Sequence, residues 1–461
     1  MTVELLEKLS VRDIANTLGC SAQPLPDKCV CLVTTDSRMV KDGALFIAIK
    51  GEHFDGNDYI DAAIDSGAVC VICERPFESK DANAAVFTVD DSIKALGRLA
   101  TEYKARLEML TVAVTGSIGK TTTKEFIYSV LAEKYAAVKT EGNHNNNIGL
   151  PMTLLGFSNK SDAAVIEMGM SHSGEISELS RIARPDIAVI TNIGTSHIGN
   201  LGSREAIRDA KLEILMGLRP GGAVILNGDE PLLSGIEGAC YVSMHNKDAD
   251  VYVDNTVLTE NGSAFDLTIN GETIESVVIP ALGEHNIMNA AMAYAVGLYA
   301  GMGEFEIRRG LKNYHTVGMR QNLVEKDDRL IIEDCYNASP ESVHAALSVL
   351  RSLADAKESR SIAVLGEIRE LGDYSESFHR SVGVDVVRSN AKMLFTFGHD
   401  AAFIADEAVK CGMSESSVFV FEDIDDPAAL ADALREKTGK GDILLFKASR
   451  ALKLERVIEL L

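Results

Sequence analysis

The residues best suited to hold a phosphate lie in the run AVTGSIGKTTTKEF. Gly116 and Gly119 allow backbone N–H groups to turn inward on an anion, and Lys120 can reach the outer phosphates of a nucleotide. A helix starting here would add its positive end, and the Thr121 hydroxyl can bind Mg²⁺. Val114 stands where the strict P-loop pattern has glycine, so the run is a variant. The alternative is a glycine turn with a capping threonine, but the position between a predicted strand and a predicted helix favours nucleotide binding.

Two polar residues follow further strands of the same predicted sheet. Glu167 ends the strand in AAVIEMG, and His197 comes shortly after the strand in DIAVITNIG. The carboxyl ends of parallel strands share one edge of a sheet, where such folds bind ligands, so both can serve a metal or the transferring phosphate. Either one alone can equally be an ordinary structural residue. The predicted ATP and phosphate site includes Gly116, Ser117, Gly119, Lys120, Thr121 and Thr122, with Thr121, Glu167 and His197 as the metal candidates.

The run EGNHNNNIGLP is rich in amides, including Asn143 and Asn146. Amide side chains donate and accept hydrogen bonds without adding charge, so this loop can hold an anionic substrate beside a nucleotide. Asn and Gly are also common turn residues, and composition alone leaves both interpretations open.

The charge balance restricts the possible partners. The 461 residues carry 45 Lys+Arg and 68 Asp+Glu, a net charge of -23, which disfavours nucleic acid and anionic membrane surfaces. No apolar stretch approaches the roughly 18 residues that span a bilayer, and the first residues lack the pattern of a signal peptide. We expect a cytoplasmic monomer that does not insert into membranes.

Cys70 and Cys73 form a Cys-x-x-Cys pair in the apolar run GAVCVICERP. Neither a second pair nor a nearby histidine completes a metal or redox site. We therefore predict buried structural thiols on a strand.

The elements that must position these residues fall into three regions of an α/β protein. Residues 1–88 alternate short apolar runs with helical patterns, and residues 92–107 predict an amphipathic helix. Residues 89–318 predict a parallel sheet around the P-loop, with a small antiparallel sheet appended where Asn261-Gly262 and Asn270-Gly271 give hairpin signals. Residues 319–461 alternate strand and helix again, as in a doubly wound, Rossmann-like unit. We call these the first, central and third regions.

Ordered motifs over nearly the whole chain resemble those of the Mur ligases, the ATP-dependent amino-acid and peptide ligases of bacterial cell-wall precursor synthesis. They are TTDSRMVKDGALFIAIKGEHFDG, TGSIGKTTTKE, EGNHNNNIGLPMTLL, VIEMGMSHSGEI, TNIGTSHIGNLGS, DAKLEI, LGEHNIMNAAMA, EDCYNASPESVHAAL, LGEIRELGDYSESFH and FKASR. The pairing of CYNASP with LGEIRELG and a closing FKASR favours the member that adds D-Ala-D-Ala to a UDP-muramoyl tripeptide. The resemblance implies a first domain for the UDP-sugar, a central ATPase domain and a third domain that closes over the site.

The resemblance also implies roles for individual residues. Lys120 would be the phosphate lysine, Thr121 would bind one Mg²⁺, and Glu167 and His197 would serve a second, aided by Lys211, which is carbamylated in some relatives. The other implied contacts are Ser37 and Arg38 with the UDP-muramoyl end, Asn286 and Asn289 with adenine, Arg320 and Asp334 with the ATP phosphates and ribose, Asn337 and Ser339 at the domain junction, and the loop containing Arg450 with the dipeptide.

Two positions depart from the family pattern. Glu367 stands where Asp is usual, which keeps the charge, and Ala448 stands where Gly is usual, which can exclude a positive φ. Two other functions compete with the dipeptide-adding one. A relative that adds a diamino acid would use the same chemistry, and a P-loop switch or regulatory ATPase would hydrolyse nucleotide without an amine substrate.

Overall fold

The structure, a computed structural model, describes residues 1–20, 25–79, 81, 83–259 and 262–461. In this part of the chain, three β-sheets follow one another, one in each predicted region. The three-region α/β architecture is thereby confirmed, while the boundaries at 88/89 and 318/319 stay predictions. None of the described helices is both long and apolar enough to cross a membrane.

The described part of the first region forms a five-stranded sheet in the order β1-β2-β3-β4-β5. β1 pairs antiparallel with β2, and the remaining neighbours are parallel. Cys70 and Cys73 are both buried on β4, as predicted, and burial raises the pKa of each thiol. The elements are β1 (Thr2–Ser10), α1 (Val11–Leu18), β2 (Cys29–Thr34), β3 (Ala44–Ile47), α2 (Ile60–Asp65), β4 (Ala68–Cys73) and β5 (Ala85–Thr88). The next helix, α3 (Ser92–Ala105), begins the central region.

The central sheet has the strand order β14-β13-β12-β11-β10-β9-β6-β8-β7 among the described residues. Strands β6–β12 are parallel to their neighbours, and β12–β14 are antiparallel. The elements are β6 (Leu110–Thr115), α4 (Lys120–Leu131), β7 (Ala137–Lys139), α5 (Gly149–Leu155), β8 (Ala163–Glu167), α6 (Glu175–Ala183), β9 (Ile187–Ile190), α7 (Ile198–Leu201), α8 (Arg204–Leu212), β10 (Ala223–Asn227), β11 (Cys240–Ser243), β12 (Val251–Thr259), β13 (Gly262–Ile269), β14 (Glu272–Ile279), α9 (Glu284–Tyr299) and α10 (Glu304–Lys312).

The predicted hairpins extend the edge of this same sheet, because β12 also pairs in parallel with β11. Asn270 and Gly271 both have positive φ in the turn between β13 and β14, which suits an Asn-Gly hairpin. Asn261, of the other predicted turn, lies outside the described residues.

The third region has the strand order β15-β16-β20-β17-β18-β19 where it is described, parallel except for the β15–β16 hairpin. Helices stand between the parallel strands, as in a doubly wound unit. The elements are β15 (Asn322–Lys326), β16 (Arg329–Glu333), α11 (Pro340–Ala356), β17 (Ser361–Gly366), α12 (Ser375–Arg388), β18 (Met393–Phe397), α13 (Ala402–Lys410), β19 (Val418–Phe421), α14 (Pro427–Lys437), β20 (Ile443–Lys447) and α15 (Glu455–Leu460).

Candidate active site

A cleft of about 990 Å³ lies between the central and third regions, at the carboxyl ends of their parallel strands. Most of the predicted site residues line it. They are Ser117, Gly119, Lys120, Thr121, Thr122, Asn143, Asn146, Glu167, His197, Lys211, Asn286, Asn289, Arg320, Asp334, Asn337 and Ser339.

The P-loop joins β6 to α4 and is held from behind by the end of β9. A Cβ on Gly116 would collide with the Thr191 hydroxyl, and Gly119 has φ +79, so glycine suits both positions. The Ile118 N–H donates to Asn192 Oδ1 at 3.0 Å. The first helical residue is Lys120, as predicted, so the open N–H groups of the helix begin at this lysine.

Lys120 lies folded over this loop. Its Nζ donates to the carbonyl oxygens of Gly116 at 2.8 Å and Ser117 at 3.2 Å. Burial lowers the pKa of Lys120, and the carboxylate of Glu167 opposes that shift. The ammonium group is therefore positioned at the mouth of the loop, where an incoming phosphate can replace the two carbonyl contacts.

Thr121 and Glu167 meet directly, although they are 46 residues apart in sequence. The Thr121 hydroxyl donates to Glu167 Oε2 at 2.8 Å, and Asn145 Nδ2 donates to Oε1 at 2.8 Å. Lys124 Nζ lies 3.7 Å from Glu167 Oε2. Because both carboxylate oxygens have partners, Glu167 is held in one orientation toward the cleft.

This pair suits Mg²⁺. In the described part of the chain, no three His, Cys, Asp or Glu side chains group as a self-sufficient metal site. Mg²⁺ prefers oxygen ligands and usually takes one or two protein carboxylates, completing its shell with phosphate and water oxygens. A threonine hydroxyl beside a fixed carboxylate, at the start of a phosphate-binding helix, is that kind of donor set.

His197 lines the same cleft but faces the third region. Its backbone is left-handed, with φ +65, and it stands immediately before α7. Its Nδ1 lies 2.6 Å from Glu370 Oε2, without the alignment of a hydrogen bond. The pKa of Glu370 is lowered, chiefly by His197 beside it.

Lys211 is a buried lysine near the end of α8, and it reaches the cleft wall. Burial lowers its pKa well below the ordinary value, and the charge of Lys120 adds to the effect. A lower pKa increases the fraction of neutral amine, which is the form of lysine that can react with CO₂.

The third region contributes a second set of charged side chains. Asp334 follows β16, and Lys447 ends β20; Lys447 Nζ lies 2.7 Å from Asp334 Oδ2 and also donates to the Asn337 carbonyl at 3.1 Å. The Arg320 guanidinium stacks over the Tyr336 ring at 3.8 Å. Two cations of the third region thus face the P-loop across the cleft.

Asn286 and Asn289 lie on the first turns of α9, behind the P-loop. Asn289 Oδ1 accepts a hydrogen bond from the Thr123 hydroxyl at 3.1 Å. Asn286 Nδ2 donates to the Leu282 carbonyl and to Gln321 Oε1, each at 2.9 Å. Both amides connect α9 to its neighbours, and Asn286 also links it to the start of the third region.

Three family models match the chain: "Mur ligase family, catalytic domain" over residues 30–104, "Mur ligase middle domain" over 114–297, and "Mur ligase, glutamate ligase domain" over 319–450. The UDP-N-acetylmuramoyl-tripeptide–D-alanyl-D-alanine ligase of Bacillus subtilis (strain 168) is 42% identical over 458 residues, which cover 98% of each chain. The chain belongs to the Mur ligase family.

Solved structures of Mur ligases agree with this assignment. A crystal structure of MurF from Acinetobacter baumannii matches with a TM-score of 0.88 and 30% identity over 99% of each chain. The MurF ligase of Thermotoga maritima, solved in complex with ADP, matches with a TM-score of 0.83 and 31% identity over 93% of this chain and 96% of that one.

Four other predicted residues lie away from the lining of the Mur ligase cleft. Gly116 forms the back of the P-loop. Ser37 and Arg38 lie in the first region, where Arg38 is exposed and pairs with Asp36 at 2.7 Å. Arg450 pairs with Glu455 at 2.6 Å, on the outer side of the third region's last helix.

The two departures from the Mur ligase pattern fit the local structure. Ala448 is fully buried, its backbone lies outside the left-handed region, and a Cβ on Gly366 would approach its Cβ to 2.6 Å. Alanine therefore needs no strained backbone here. Glu367 keeps an ion pair with Arg369 at 2.5 Å and accepts a hydrogen bond from the Asp400 N–H at 3.1 Å.

Several residues of this Mur ligase cleft escaped sequence reasoning. Lys447 ends a predicted strand, as Glu167 does, so the same strand-end rule could have found it. Asn145 lies in the amide-rich loop already identified, next to the chosen Asn146. Glu341 and Glu370 lie beside the cleft lining, where they contact Thr195 and His197. They look like an ordinary acid in a helix's first turn and a loop charge, and only these tertiary contacts distinguish them.

Proposed function

We propose that this Mur ligase joins D-alanyl-D-alanine to the terminal carboxylate of UDP-N-acetylmuramoyl-tripeptide, with ATP converted to ADP and phosphate. The function is supported above all by the 42% identity, over 98% of the chain, to a relative named for that reaction. The cleft agrees with it, because a P-loop lysine, an oxygen pair for Mg²⁺ and two third-region cations face one space. The product would serve peptidoglycan synthesis, and through it cell shape and division.

The reaction has two bond-forming steps. A carboxylate oxygen of the tripeptide attacks the γ-phosphorus of ATP, and the bond from the γ-phosphorus to the β-phosphate oxygen breaks. The products of this step are ADP and an acyl phosphate. The dipeptide amine then attacks the acyl carbon, loses a proton, and phosphate departs as the amide forms. Such transfer between anions needs neutralised charge and alignment more than a nucleophilic side chain. Lys120 and Arg320 would supply positive charge from opposite sides of the cleft.

Mg²⁺, when bound, would neutralise phosphate charge, held by Thr121 and by Glu167, with His197 at a second position on the same wall. Lys211, if carbamylated, would add a carboxylate there. Bicarbonate should then raise the activity of CO₂-depleted enzyme, and small carboxylates should partly restore Lys211→Ala. Restoration would be absent if Lys211 only packs against its neighbours.

The substrates would lie along the chain order of the regions. We assign the UDP-muramoyl end to Ser37 and Arg38, and the reacting peptide ends to Asn143, Asn146, Asn337, Ser339 and the loop of Arg450. Asn286, Asn289, Arg320 and Asp334 would position ATP. The enzyme would work as a monomer in the cytoplasm, where ATP is available.

The deciding experiment measures phosphate release with UDP-muramoyl tripeptide and ATP, with and without D-Ala-D-Ala. We expect release that depends on the dipeptide, and amide product equal to phosphate. Lys120→Ala gives the background, since the fold should persist while turnover is lost. A diamino acid that replaces D-Ala-D-Ala would assign the sister activity, and release independent of any amine would indicate a nucleotide switch or regulatory ATPase.

A further inference from the structure

The segment between β9 and α7 makes hydrogen bonds on two sides. It contains Gly194, Thr195, Ser196 and His197, and it forms part of the cleft wall. Some of these hydrogen bonds come from the central region and the others from the third region. A movement of the third region can therefore be transmitted through this segment to the phosphate site.

On the side of the central region, the segment is hydrogen-bonded to the P-loop. The Gly194 N–H donates to Ser117 Oγ at 2.8 Å, and the Ser196 hydroxyl donates to the Ser117 carbonyl at 3.3 Å. Ser117 is 6% exposed, and the Gly194 bond is buried while the Ser196 bond is partly buried. A displacement of the segment would therefore also displace the P-loop, which would bind the phosphates.

On the side of the third region, the segment is hydrogen-bonded to Glu341. Its Oε1 accepts from the Thr195 N–H at 2.7 Å, and its Oε2 accepts from the Thr195 hydroxyl at 3.1 Å. Both carboxylate oxygens thus accept hydrogen bonds from the same residue. Such a two-point contact is specific in its geometry, unlike a nearby charge without hydrogen bonds. A Cβ at Gly194 would lie 3.1 Å from the Glu341 carboxyl carbon, so the carboxylate sits directly on the backbone.

The carboxylate has a rigid base. Glu341 is in the first turn of the 17-residue helix α11, after the Ser339 cap and Pro340. The positive end of the helix favours an acid at this position, and the cap fixes the entry of the chain. The position of Glu341 therefore reports the position of the whole third region.

We propose that Glu341 is a positioning residue that couples closure of the third region to the placement of the segment Gly194–His197 against the P-loop. This inference rests on the proposed function. In the closed form, Thr195 would be held by two charge-assisted bonds, and the cleft would exclude water while the acyl phosphate waits for the amine. Without Glu341, the third region would open more often and water would compete for the intermediate.

The test compares Glu341→Gln, Glu341→Ala and Thr195→Val with Asp355→Asn. Asp355 is an exposed acid on the same helix, so its change matches the loss of charge without touching the segment. Two quantities are measured: the ratio of phosphate released to amide formed, and the radius of gyration by X-ray scattering with a non-hydrolysable ATP analogue. Thermal unfolding of each variant checks that it is folded.

We expect the ratio of open to closed protein to rise about tenfold in Glu341→Gln and about a hundredfold in Glu341→Ala, with Thr195→Val nearer the former. The radius of gyration and the phosphate-to-amide ratio should rise together, while Asp355→Asn matches the wild type. Folded Glu341 variants with wild-type scattering and a wild-type ratio would overturn the proposal. If the wild type forms no amide, the proposed function fails, but the scattering comparison still decides the role of Glu341.

Discussion

The central region joins its two neighbours in different ways. Its junction with the first region is packed with apolar groups, whereas at its junction with the third region polar contacts surround a cleft and add to apolar side chains of the same buried cluster. At the first junction, α3 supplies Tyr103, and a Cβ on Gly97 would lie 3.0 Å from the Ile182 side chain. The Tyr103 hydroxyl accepts from the Glu7 N–H at 3.1 Å and donates to the Phe157 carbonyl at 2.8 Å, which ties both regions to one buried side chain.

The polar contacts of the second junction are made by individual side chains, two of which reach backbone groups. Glu341 holds Thr195, Glu370 contacts His197, and Tyr374 donates to the Gly202 carbonyl at 3.4 Å. Polar contacts of this kind exchange for water at small net cost, whereas separating a packed apolar face does not. The difference predicts that the first region is held more firmly on the central region than the third region is.

The largest expected effect is at the first junction. Tyr103→Ala should lower the free energy of unfolding by about 4 kcal/mol, because it leaves a cavity and removes both hydroxyl bonds. Urea unfolding measures this loss. Tyr299→Ala is the control, since that tyrosine is 55% exposed, and it should change stability by less than about 1 kcal/mol. Equal losses in the two variants would mean that the first junction is not tightly packed.

A second prediction concerns the chain link between the central and third regions. His285 is half-buried at the start of α9, and its Nε2 lies 2.9 Å from Gln321 Nε2 just before β15. The amide nitrogen can only donate, so Nε2 accepts and the ring is neutral. Burial, aided by the charge of Lys447, lowers the pKa of His285 to about 4.

The unfolded chain has the ordinary histidine pKa near 6.5, so it binds the extra proton first as pH falls. The stabilising contribution is complete above pH 6.5, and about 3 kcal/mol should be lost between pH 6.5 and 4. His285→Gln should flatten the dependence of stability on pH in that window. His399→Gln, at an exposed histidine, should leave it unchanged. An unaltered slope in His285→Gln would show that the pKa of His285 is the same in the folded and the unfolded protein.

Much of the fold follows from the sequence because its signals are local. The Gly-Lys-Thr run starts α4 at Lys120, and the predicted helix at 92–107 is α3, Ser92–Ala105. β1 was not predicted, since TVELLEKLS has charges spaced as on a helix and becomes a strand by pairing with β2. The continuity of β12 with β11 was equally invisible, because a hairpin signal does not say which sheet it joins.

The site was predictable where chemistry follows strand ends. Glu167 was identified in this way, and it meets Thr121 as a strand-end carboxylate near a P-loop should. Glu341 and Glu370 could not be identified, because their partners lie 146 and 173 residues away and the pairing depends on how the third region packs against the central one. Contacts between distant regions of the chain leave little trace in local sequence pattern.

The smallest expected effect is at the outer end of the second junction. The Tyr374 hydroxyl reaches the Gly202 carbonyl at 3.4 Å, a long hydrogen bond, and the side chain is 44% exposed. Tyr374→Phe keeps the ring beside Phe378 and should change turnover less than about twofold, with unfolding temperature almost unaltered. Turnover and scattering would be measured beside Glu341→Ala. If Tyr374→Phe opens the third region as far as Glu341→Ala does, the contacts that hold it closed are distributed from Gly194 to Gly202 rather than centred on Thr195. The polar junction would then resemble the packed one, because neither would depend on a single contact.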